Sequence, residues 1–432
     1  AEDALAAADA VDERLRRGDP VGPLAGVPLA VKDLEDASGY VTTYGSKLHL
    51  DDAPASGDSV LVARLKRAGC VVVGKTNTPE FGYQAVTDGP FGFARNPWAL
   101  EHTAGGSSGG SSSALAAGMV PLATGSDGGG SIRIPAALCG FTALKASQGR
   151  VPMGGPNPPG SGLLGVRGPM TLGARDLALT LDCVMGDEPS DIFGLPHPGC
   201  SFRAALDAAN APPAVVWSPT MGYAEVDAEI LAACSAFVAK LAGSGVAVVE
   251  RATIWDQDPS SDWFVFWATL RARAQGHLMG SPAWERIDEG LRATIEWGMK
   301  FTGIDYARAM DTCHSLNLRL EAAFADAPFI VTPTLSGQAP RQGAAGGQIN
   351  GEVATEWVSF TTGLNMTRNP AGTVCVGYTR SGLPIGLQVI GRQRDDLGVL
   401  KTLCFFEDIA ALPPMAPHGV RSGWAGLRAQ AF

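Results

Sequence analysis

Two short loops rich in glycine and serine constrain this chain more than any other sequence feature. One covers residues 102–111 and the other residues 125–133. In the second loop three consecutive glycines directly precede a serine, and glycine lets the backbone fold so that several N–H groups point at one spot. Such a spot stabilises an oxyanion, which predicts Ser131 as a nucleophile beside backbone donors of Gly128, Gly129, Gly130 and Ser131. Glycine and serine are also common in flexible turns, so the loop alone leaves that alternative open.

The charge balance of the chain excludes some classes of partner. The formal net charge is −10 and no run of basic residues is present, which is the opposite of what a polyanion requires. We therefore expect no nucleic-acid partner. The strongly apolar stretch at residues 114–123 is far shorter than the roughly 20 residues that span a bilayer, so we expect no membrane insertion.

The opening segment and the cysteines indicate the compartment. The first residues alternate small apolar and charged side chains as an exposed helix does, without the apolar core of a secretory signal, so we expect the cytoplasm. The eight cysteines include no CxxC pair, which favours buried reduced thiols over a zinc site or a disulfide scaffold. We expect neither a metal nor a cofactor.

The order of the predicted elements indicates an α/β fold. Residues 59–69 have the pattern of a helix that ends at Gly69, and the apolar run at residues 70–74 is typical of a buried strand. Further helices are predicted at residues 231–245 and 307–327, and strands at residues 329–334 and 383–391. Alternation of this kind is typical of layered α/β architectures.

No repeat or low-complexity linker separates modules, so we expect a single domain over residues 1–432, with residues 190–327 as a helical insertion that binds substrate. Five of the nine tryptophans fall between residues 255 and 297 on helix-like stretches. Aromatic side chains bury large apolar areas wherever they lie, so core and pocket-wall positions both remain open for them. These tryptophans are Trp255, Trp263, Trp267, Trp284 and Trp297.

Three motifs that follow one another along the chain carry a family resemblance. They are GVPLAVKDL at residues 26–34, GGSSGGSSSALAAG at residues 105–118 and GSDGGGSIRIPAALCG at residues 125–140. Together they resemble the amidase-signature family, over residues 22–173 and again in PFIVTPTLSG and NPAGTVCVGYTRSGLPIGLQVIG. The resemblance implies a large twisted mixed β-sheet covered on both faces by α-helices, and hydrolysis of amide bonds.

The resemblance also implies the roles of individual residues. Lys32 would be the base, Ser107 a proton bridge after a cis bond from Gly106, and Ser131 the nucleophile that forms an acyl-enzyme. A lysine has an ordinary pKa of about 10.4, so a base working near neutrality must be buried or lie near dipoles that lower its pKa by about three units. Asp127 and Arg133 would brace the loop through opposite charges and hydrogen bonds, without carrying protons. For Ser108, a hydrogen bond near the site and an ordinary loop position both remain open.

Two rival functions must be weighed. Residues 105–109 also fit GxSxG, the nucleophile turn of α/β-hydrolase esterases, but that turn follows a strong strand, whereas residues 93–104 are loop-like. The chain has six histidines, the last of which is His418, but no Asp or His downstream of this turn lies in a distinctive motif. The second rival is the glutaminase subunit of a tRNA-dependent amidotransferase, which belongs to the family that the chain resembles.

The substrate is the least constrained part of the prediction. The same nucleophile and oxyanion donors would serve amides, carbamates (urethanes) and esters, and the aromatic segment favours a bulky aryl or alkyl substrate over an acidic one. The wall candidates are the loop at residues 81–93, Met153 and Trp263. Only 31 residues precede Lys32, fewer than is usual in the family, where helices at that end often join subunits; this leaves a homodimer as an open alternative.

Overall fold

The first helix and strand after Lys32 illustrate how the sequence builds this fold. Ser59 caps the helix that begins at Val60, because its hydroxyl accepts from the Val62 N–H at 3.4 Å. Leu61 and Leu65 bury the apolar face of this helix. Gly69, at φ +104°, then turns the chain into a strand, as the sequence predicted.

The computed structural model describes residues 2–155, 160–207 and 211–417. The helices in these ranges are α1 (Glu2–Arg17), α2 (Val60–Arg67), α3 (Gly109–Ala116), α4 (Arg133–Cys139), α5 (Ala174–Val184), α6 (Phe202–Leu206), α7 (Ala228–Gly243), α8 (Ser260–Gln275), α9 (Glu289–Gly298), α10 (Gly303–Phe324), α11 (Thr362–Met366) and α12 (Asp396–Ala410). The strands are β1 (Pro28–Lys32), β2 (Val71–Thr76), β3 (Arg95–Asn96), β4 (Ala99–Thr103), β5 (Leu122–Asp127), β6 (Ala143–Lys145), β7 (Val166–Thr171), β8 (Ala214–Trp217), β9 (Ala247–Glu250), β10 (Phe329–Pro333), β11 (Gly347–Ile349), β12 (Glu352–Ala354), β13 (Ala371–Tyr378) and β14 (Pro384–Ile390).

The longer strands form two neighbouring sheets. One has the order β2-β1-β5-β7, and the other has the order β6-β13-β14-β10-β8-β9. The edge strands β7 and β6 pack side by side, so the two sheets adjoin, but hydrogen bonding does not run through all ten strands as one sheet. Parallel and antiparallel pairs occur in both sheets, and the α/β class that the sequence predicted is confirmed.

Helices cover the larger sheet. Helices α4, α7 and α12 pack against β13 and β14. Strands β10 and β14 are buried along their whole length, as expected of strands with cover on both faces. The predicted helices at residues 231–245 and 307–327 correspond to α7 and α10, and the two predicted strands to β10 and β14.

The segment at residues 190–327 is more than a helical insertion. It contains α6 to α10, but also β8 and β9, which extend the six-stranded sheet beyond β10.

No helix among the described residues is long and apolar enough to cross a membrane.

The pairing of β1 with β5 positions the two loops that the sequence singled out. The two strands are parallel, so their carboxyl ends meet at one edge of the sheet. Lys32 is the last residue of β1, and the glycine loop at residues 128–131 follows β5. Helix α3 begins at Gly109, within the first loop and two residues after Ser107.

Candidate active site

Lys32 is the centre of a buried cluster of hydroxyl groups. Its side chain is completely buried, and Nζ lies 2.8 Å from Ser107 Oγ and 2.8 Å from Ser108 Oγ. A third hydroxyl, Ser126 Oγ, lies 2.9 Å from Nζ, and the sequence had not indicated it. The three side chains within hydrogen-bonding distance of this amine are therefore all neutral.

Burial changes the acid–base behaviour of this lysine. Loss of hydration lowers the pKa of Lys32 to about 7, and the nearby charge of Arg167 also lowers it, while Glu35 and Asp127 act in the opposite direction. Removal from water is the largest of these effects. Much of the amine is consequently neutral near neutral pH, as a general base requires.

The first loop presents Ser107 to the lysine through a tightly enclosed backbone. The Gly106–Ser107 peptide bond is cis, as predicted. A Cβ at position 106 would lie 2.7 Å from the carbonyl oxygen of Val86, so only glycine fits there. Thr78 Oγ1 donates to the Ser107 carbonyl at 2.9 Å and fixes the following peptide.

The glycines of the second loop have different roles. Side chains hold two of their carbonyl oxygens: Trp263 Nε1 donates to Gly128 O at 2.8 Å, and Thr361 Oγ1 donates to Gly129 O at 2.6 Å. The backbone N–H groups of Gly128, Gly129 and Ser131 have no acceptor among the described residues and are free to donate to a bound group.

Gly130 differs from this group. Its N–H donates to Asp127 Oδ1 at 2.7 Å, so an acceptor within the protein already occupies this predicted oxyanion donor. The aspartate lies just before the glycines on the chain and folds back onto them. This turn shapes the loop at the expense of one of the four predicted donors.

Ser131 is the least constrained of the three predicted catalytic side chains. It is partly exposed, and its hydroxyl forms no hydrogen bond with any described residue. The structure thus brings Lys32 and Ser107 into direct contact, but shows no hydrogen bond between Ser107 and Ser131. Catalytic hydrogen bonds are often long before substrate binds and shorten in the reacting complex.

Asp127 and Arg133 form a completely buried ion pair beneath the glycine loop. Arg133 Nε lies 3.0 Å from Asp127 Oδ2, and Arg133 also donates to Asn365 Oδ1 at 2.7 Å and to Gln388 Oε1 at 2.9 Å. Burial by itself would raise the pKa of Asp127, but the charge and hydrogen bonds of Arg133 outweigh burial and lower this pKa to about 2. The pair is fixed in its charged form and braces the loop.

The sequence did not single out several residues of this network. Gln388 is a polar residue in the middle of the apolar strand β14, and that contrast was a signal that could have indicated it. Thr361 and Asn365 lie 232 positions from their partners and carry no local signal. Sequence patterns identified the loop, whereas residues distant along the chain stabilise it.

The tryptophans divide between core and site. Trp255 and Trp284 are buried in the core and Trp297 is 52% exposed, whereas Trp263 and Trp267 stack on each other beside the glycine loop. A Cβ on Gly129 would lie 2.5 Å from the Trp263 ring, and one on Gly128 would lie 3.0 Å from the Trp267 ring. Helix α8 therefore forms a wall of the site.

The other two wall candidates have different outcomes. Gly82, in the loop at residues 81–93, lies against Ser107, since a Cβ there would be 3.2 Å from the serine hydroxyl. Met153 is buried, and its N–H donates to Asp191 at 2.8 Å. No hydrogen bond joins Met153 to Lys32 or the glycine loop in the part of the chain that the structure describes.

The arrangement does not match an α/β-hydrolase. The short strand β4 pairs with the two-residue β3 and forms one isolated bridge, between His102 and Arg341, so no strong strand leads into Ser107. None of the five histidines that the structure describes is hydrogen-bonded to Ser107 or Ser131, and His418 lies outside the described residues.

Over the described ranges, no group of three or more His, Cys, Asp or Glu side chains could hold a metal ion.

The similarity of this chain to known proteins shows its family. Residues 1–400 match the Amidase family, and the chain belongs to this amidase-signature family. It is an amidase, an enzyme that hydrolyses the C–N bonds of amides.

Among its relatives is an acylamidase of Rhodococcus erythropolis, 36% identical over 91% of this chain and 83% of that protein. A glutamyl-tRNA(Gln) amidotransferase subunit from Chloroflexus aggregans is 31% identical over 93% of this chain and 86% of that protein. The crystal structure of a bacterial aryl acylamidase of the amidase-signature family superposes with a TM-score of 0.88 at 26% identity, covering 98% of this chain and 89% of that chain.

Proposed function

We propose that Ser131 is the nucleophile of this amidase, with Ser107 as the proton bridge and Lys32 as the base. The observation that supports this most is the completely buried Lys32 amine, 2.8 Å from the Ser107 hydroxyl and with its pKa lowered to about 7. A buried lysine with a purely structural role carries a charge, and a carboxylate would stabilise that charge better than three hydroxyls do. A base needs to be neutral.

The reaction then runs in two halves. In the first, Ser131 Oγ bonds to the carbonyl carbon while its proton passes to Ser107 and the proton of Ser107 passes to Lys32. The C–N bond breaks, the nitrogen takes the proton back by the same route, and the amine leaves an ester on Ser131. In the second half, water gives its proton to the same relay and attacks the ester, which releases the acid and restores the serine.

The free N–H groups stabilise the charge that develops on the carbonyl oxygen. Gly128, Gly129 and Ser131 carry these donors in one turn, and Trp263 and Thr361 hold the glycine carbonyls by hydrogen bonds. Loss of one such donor costs about 3 kcal/mol of transition-state stabilisation.

We propose a bulky, uncharged aryl or alkyl amide as the substrate, with carbamates (urethanes) and esters as further candidates. The stacked rings of Trp263 and Trp267 offer an apolar wall, and a series of ring contacts runs from Trp263 through Phe264 to the exposed Trp297. The names of the acylamidase and aryl acylamidase relatives agree with this choice. Higher kcat/KM for malonamate than for neutral anilides would contradict it.

Covalent labelling tests the residue roles. A fluorophosphonate should modify a single peptide that contains Ser131, and Ser131→Ala should remove the label. Lys32→Met and Ser107→Ala should slow labelling by about 100- to 10,000-fold, the usual effect of losing general base catalysis. Label on another serine, or wild-type labelling of Lys32→Met, would refute the assignment.

Ser112→Ala is the matched control for the serine variants. Ser112 is buried on α3, close to the same loop, and its hydroxyl has no hydrogen-bond partner among the described residues. Removing it should leave labelling unchanged. Loss of labelling in this variant would show that any serine near the loop has the same effect.

A second candidate is the glutaminase subunit of a tRNA-dependent amidotransferase, since one relative is named as part of such an enzyme. The aromatic wall favours the amidase over this role, because glutamine is small and polar. Hydrolysis of p-nitroacetanilide by the purified chain, without measurable hydrolysis of glutamine, is the expected result. Glutamine hydrolysis that appears only with a second protein would favour the rival.

The location and assembly of the protein are further proposals. All eight cysteines are free thiols, which supports the cytoplasm as the compartment. We also propose that the chain works as a homodimer on small-molecule substrates, without nucleic acid. Light scattering of the purified chain would show a monomer if the dimer is wrong.

A further inference from the structure

Arg271 is a buried cation that the reaction above does not use. It lies on α8, is only 4% exposed, and forms no ion pair with a described carboxylate. Its guanidinium lies over the Trp267 ring at 4.6 Å, and its Nε has no hydrogen-bond partner among the described residues. A buried charge without a counterion is unfavourable, so its remaining contacts need an explanation.

Those contacts are two backbone carbonyls from separate loops. Arg271 Nη1 donates to Phe81 O at 3.0 Å, and Nη2 donates to Gly160 O at 2.9 Å. The two loops are far apart along the chain, and one planar guanidinium joins them. A lysine has a single amine and could not reach both carbonyls with the same fixed geometry.

Each carbonyl belongs to the residue directly before one that contacts the proposed machinery. After Phe81 comes Gly82, which lies against the Ser107 hydroxyl. After Gly160 comes Ser161, whose Cβ is 3.6 Å from the position of a Cβ on Gly128. Arg271 therefore holds the two segments that contact Ser107 and the glycine loop.

The face of α8 that carries Arg271 also contacts the glycine loop through two other side chains. Trp263, Trp267 and Arg271 are four positions apart and lie on one side of the helix. The first two pack on Gly129 and Gly128. The two tryptophans cover the glycine loop, and Arg271 extends this row of side chains to Phe81, beside Ser107.

We propose that Arg271 is a positioning residue, which sets the distance between Ser107 and the oxyanion donors by joining the two loops. This inference rests on the proposed roles of Ser107 and Ser131. Phe81 has a left-handed backbone, at φ 49°, which is unfavourable for a residue other than glycine unless its surroundings hold it. The hydrogen bond from Arg271 to its carbonyl is one of the contacts that hold it.

The test compares Arg271→Met, Arg271→Lys and Thr269→Val. Thr269 lies on the same helix, and its buried hydroxyl has no partner among the described residues, so Thr269→Val is a control of nearly equal volume. For each folded variant, measure the rate of fluorophosphonate labelling, the melting temperature, and kcat and KM for propionamide and p-nitroacetanilide. Propionamide is too small to need the aromatic wall.

The expected result is a loss of kcat and labelling rate for Arg271→Met, on the order of 100-fold with both amides, as a misplacement of about 1 Å produces. Arg271→Lys should recover part of the rate, and Thr269→Val should behave as wild type. A lower melting temperature with unchanged labelling and kcat would make Arg271 merely structural and overturn the proposal. A rise in KM for the anilide alone would reduce it to a pocket wall and would also overturn it.

Failure of the proposed function has a different signature. In that case the wild-type protein would not be labelled at Ser131 at all. The Arg271 variants are compared only after the wild-type protein has been shown to be labelled at Ser131. The two outcomes are therefore distinguishable in the same experiment.

Discussion

Lowering the pH should inactivate this enzyme by protonating Lys32. Burial lowers the pKa of this amine from 10.5 to about 7. At about 1.36 kcal/mol per pKa unit, the shift means that the folded protein favours the neutral amine by about 5 kcal/mol more than water does. Below pH 7 the amine holds a proton and cannot accept another, so kcat/KM should fall about tenfold for each further pH unit.

The assay is the dependence of kcat/KM on pH for a neutral anilide, from about pH 5 to about pH 9, repeated with the rate of fluorophosphonate labelling. Both should rise with pH through one inflection near 7 and level off above it. An anilide has no group that titrates in this range, so the inflection belongs to the protein.

A second buried lysine provides the control. The pKa of Lys145 is also lowered to about 7 by burial, but among the described residues its amine donates only to the Ala146 carbonyl, at 3.3 Å. Lys145→Met should keep the inflection. A flat dependence between about pH 6 and about pH 8 in the wild type, or an inflection that disappears in Lys145→Met, would refute the assignment of Lys32 as base.

The same shift predicts how stability depends on pH. Between pH 7 and 10.5 the unfolded chain holds a proton on Lys32 that the folded chain has released, so the free energy of unfolding rises with pH in this window. Lys32→Met removes this dependence. Relative to wild type it should be most stable below pH 7, and this difference should shrink towards pH 10; a constant difference would contradict the reasoning.

Three further substitutions have defined outcomes. Gly129→Ala should abolish labelling, because the new Cβ would lie 2.5 Å from the Trp263 ring and must displace the glycine loop. Arg133→Met should destabilise the fold by about 3–5 kcal/mol in chemical denaturation, because it leaves the Asp127 carboxylate buried without its partner. Trp263→Phe keeps a ring but loses the hydrogen bond to Gly128 O, and should lower kcat for anilides about tenfold while KM changes little.

Matched variants separate these effects from general damage. Gly243→Ala adds a methyl where no atom lies within 4 Å, so it should leave labelling and stability near wild type. Arg175→Met removes an exposed ion pair with Asp408, which should cost no more than about 1 kcal/mol. Large losses in either variant would mean that the corresponding effects at the site are not specific.

The sequence predicted the parts of the site that depend on local motifs. Lys32 ends a strand, and the two serine loops owe their shape to neighbouring glycines, so their positions could be anticipated. The cis bond at Ser107 was expected from the family resemblance and not from the local sequence. The same reasoning assigned Gly130 as an oxyanion donor, because it could not show that Asp127 folds back onto that N–H.

Residues supplied from distant parts of the chain could not be predicted in this way. Trp263 meets Gly128 across 135 positions, and Arg271 meets Phe81 across 190. Their partners are backbone carbonyls, which leave no trace in the sequence. Division of the strands into two adjoining sheets was equally hidden, since strand pairing depends on edges that only the folded chain defines.

The double role of Trp263 restricts how this enzyme can acquire new substrates. Its ring packs beside the glycine loop where an acyl or amine group would bind, and its indole nitrogen simultaneously holds the carbonyl of Gly128. Shortening this side chain to make room for a larger group would therefore disturb catalysis together with selectivity. Directed evolution towards larger amides should proceed more readily through Phe264 and Trp297, which continue the ring series and, unlike Trp263, form no hydrogen bond with Gly128.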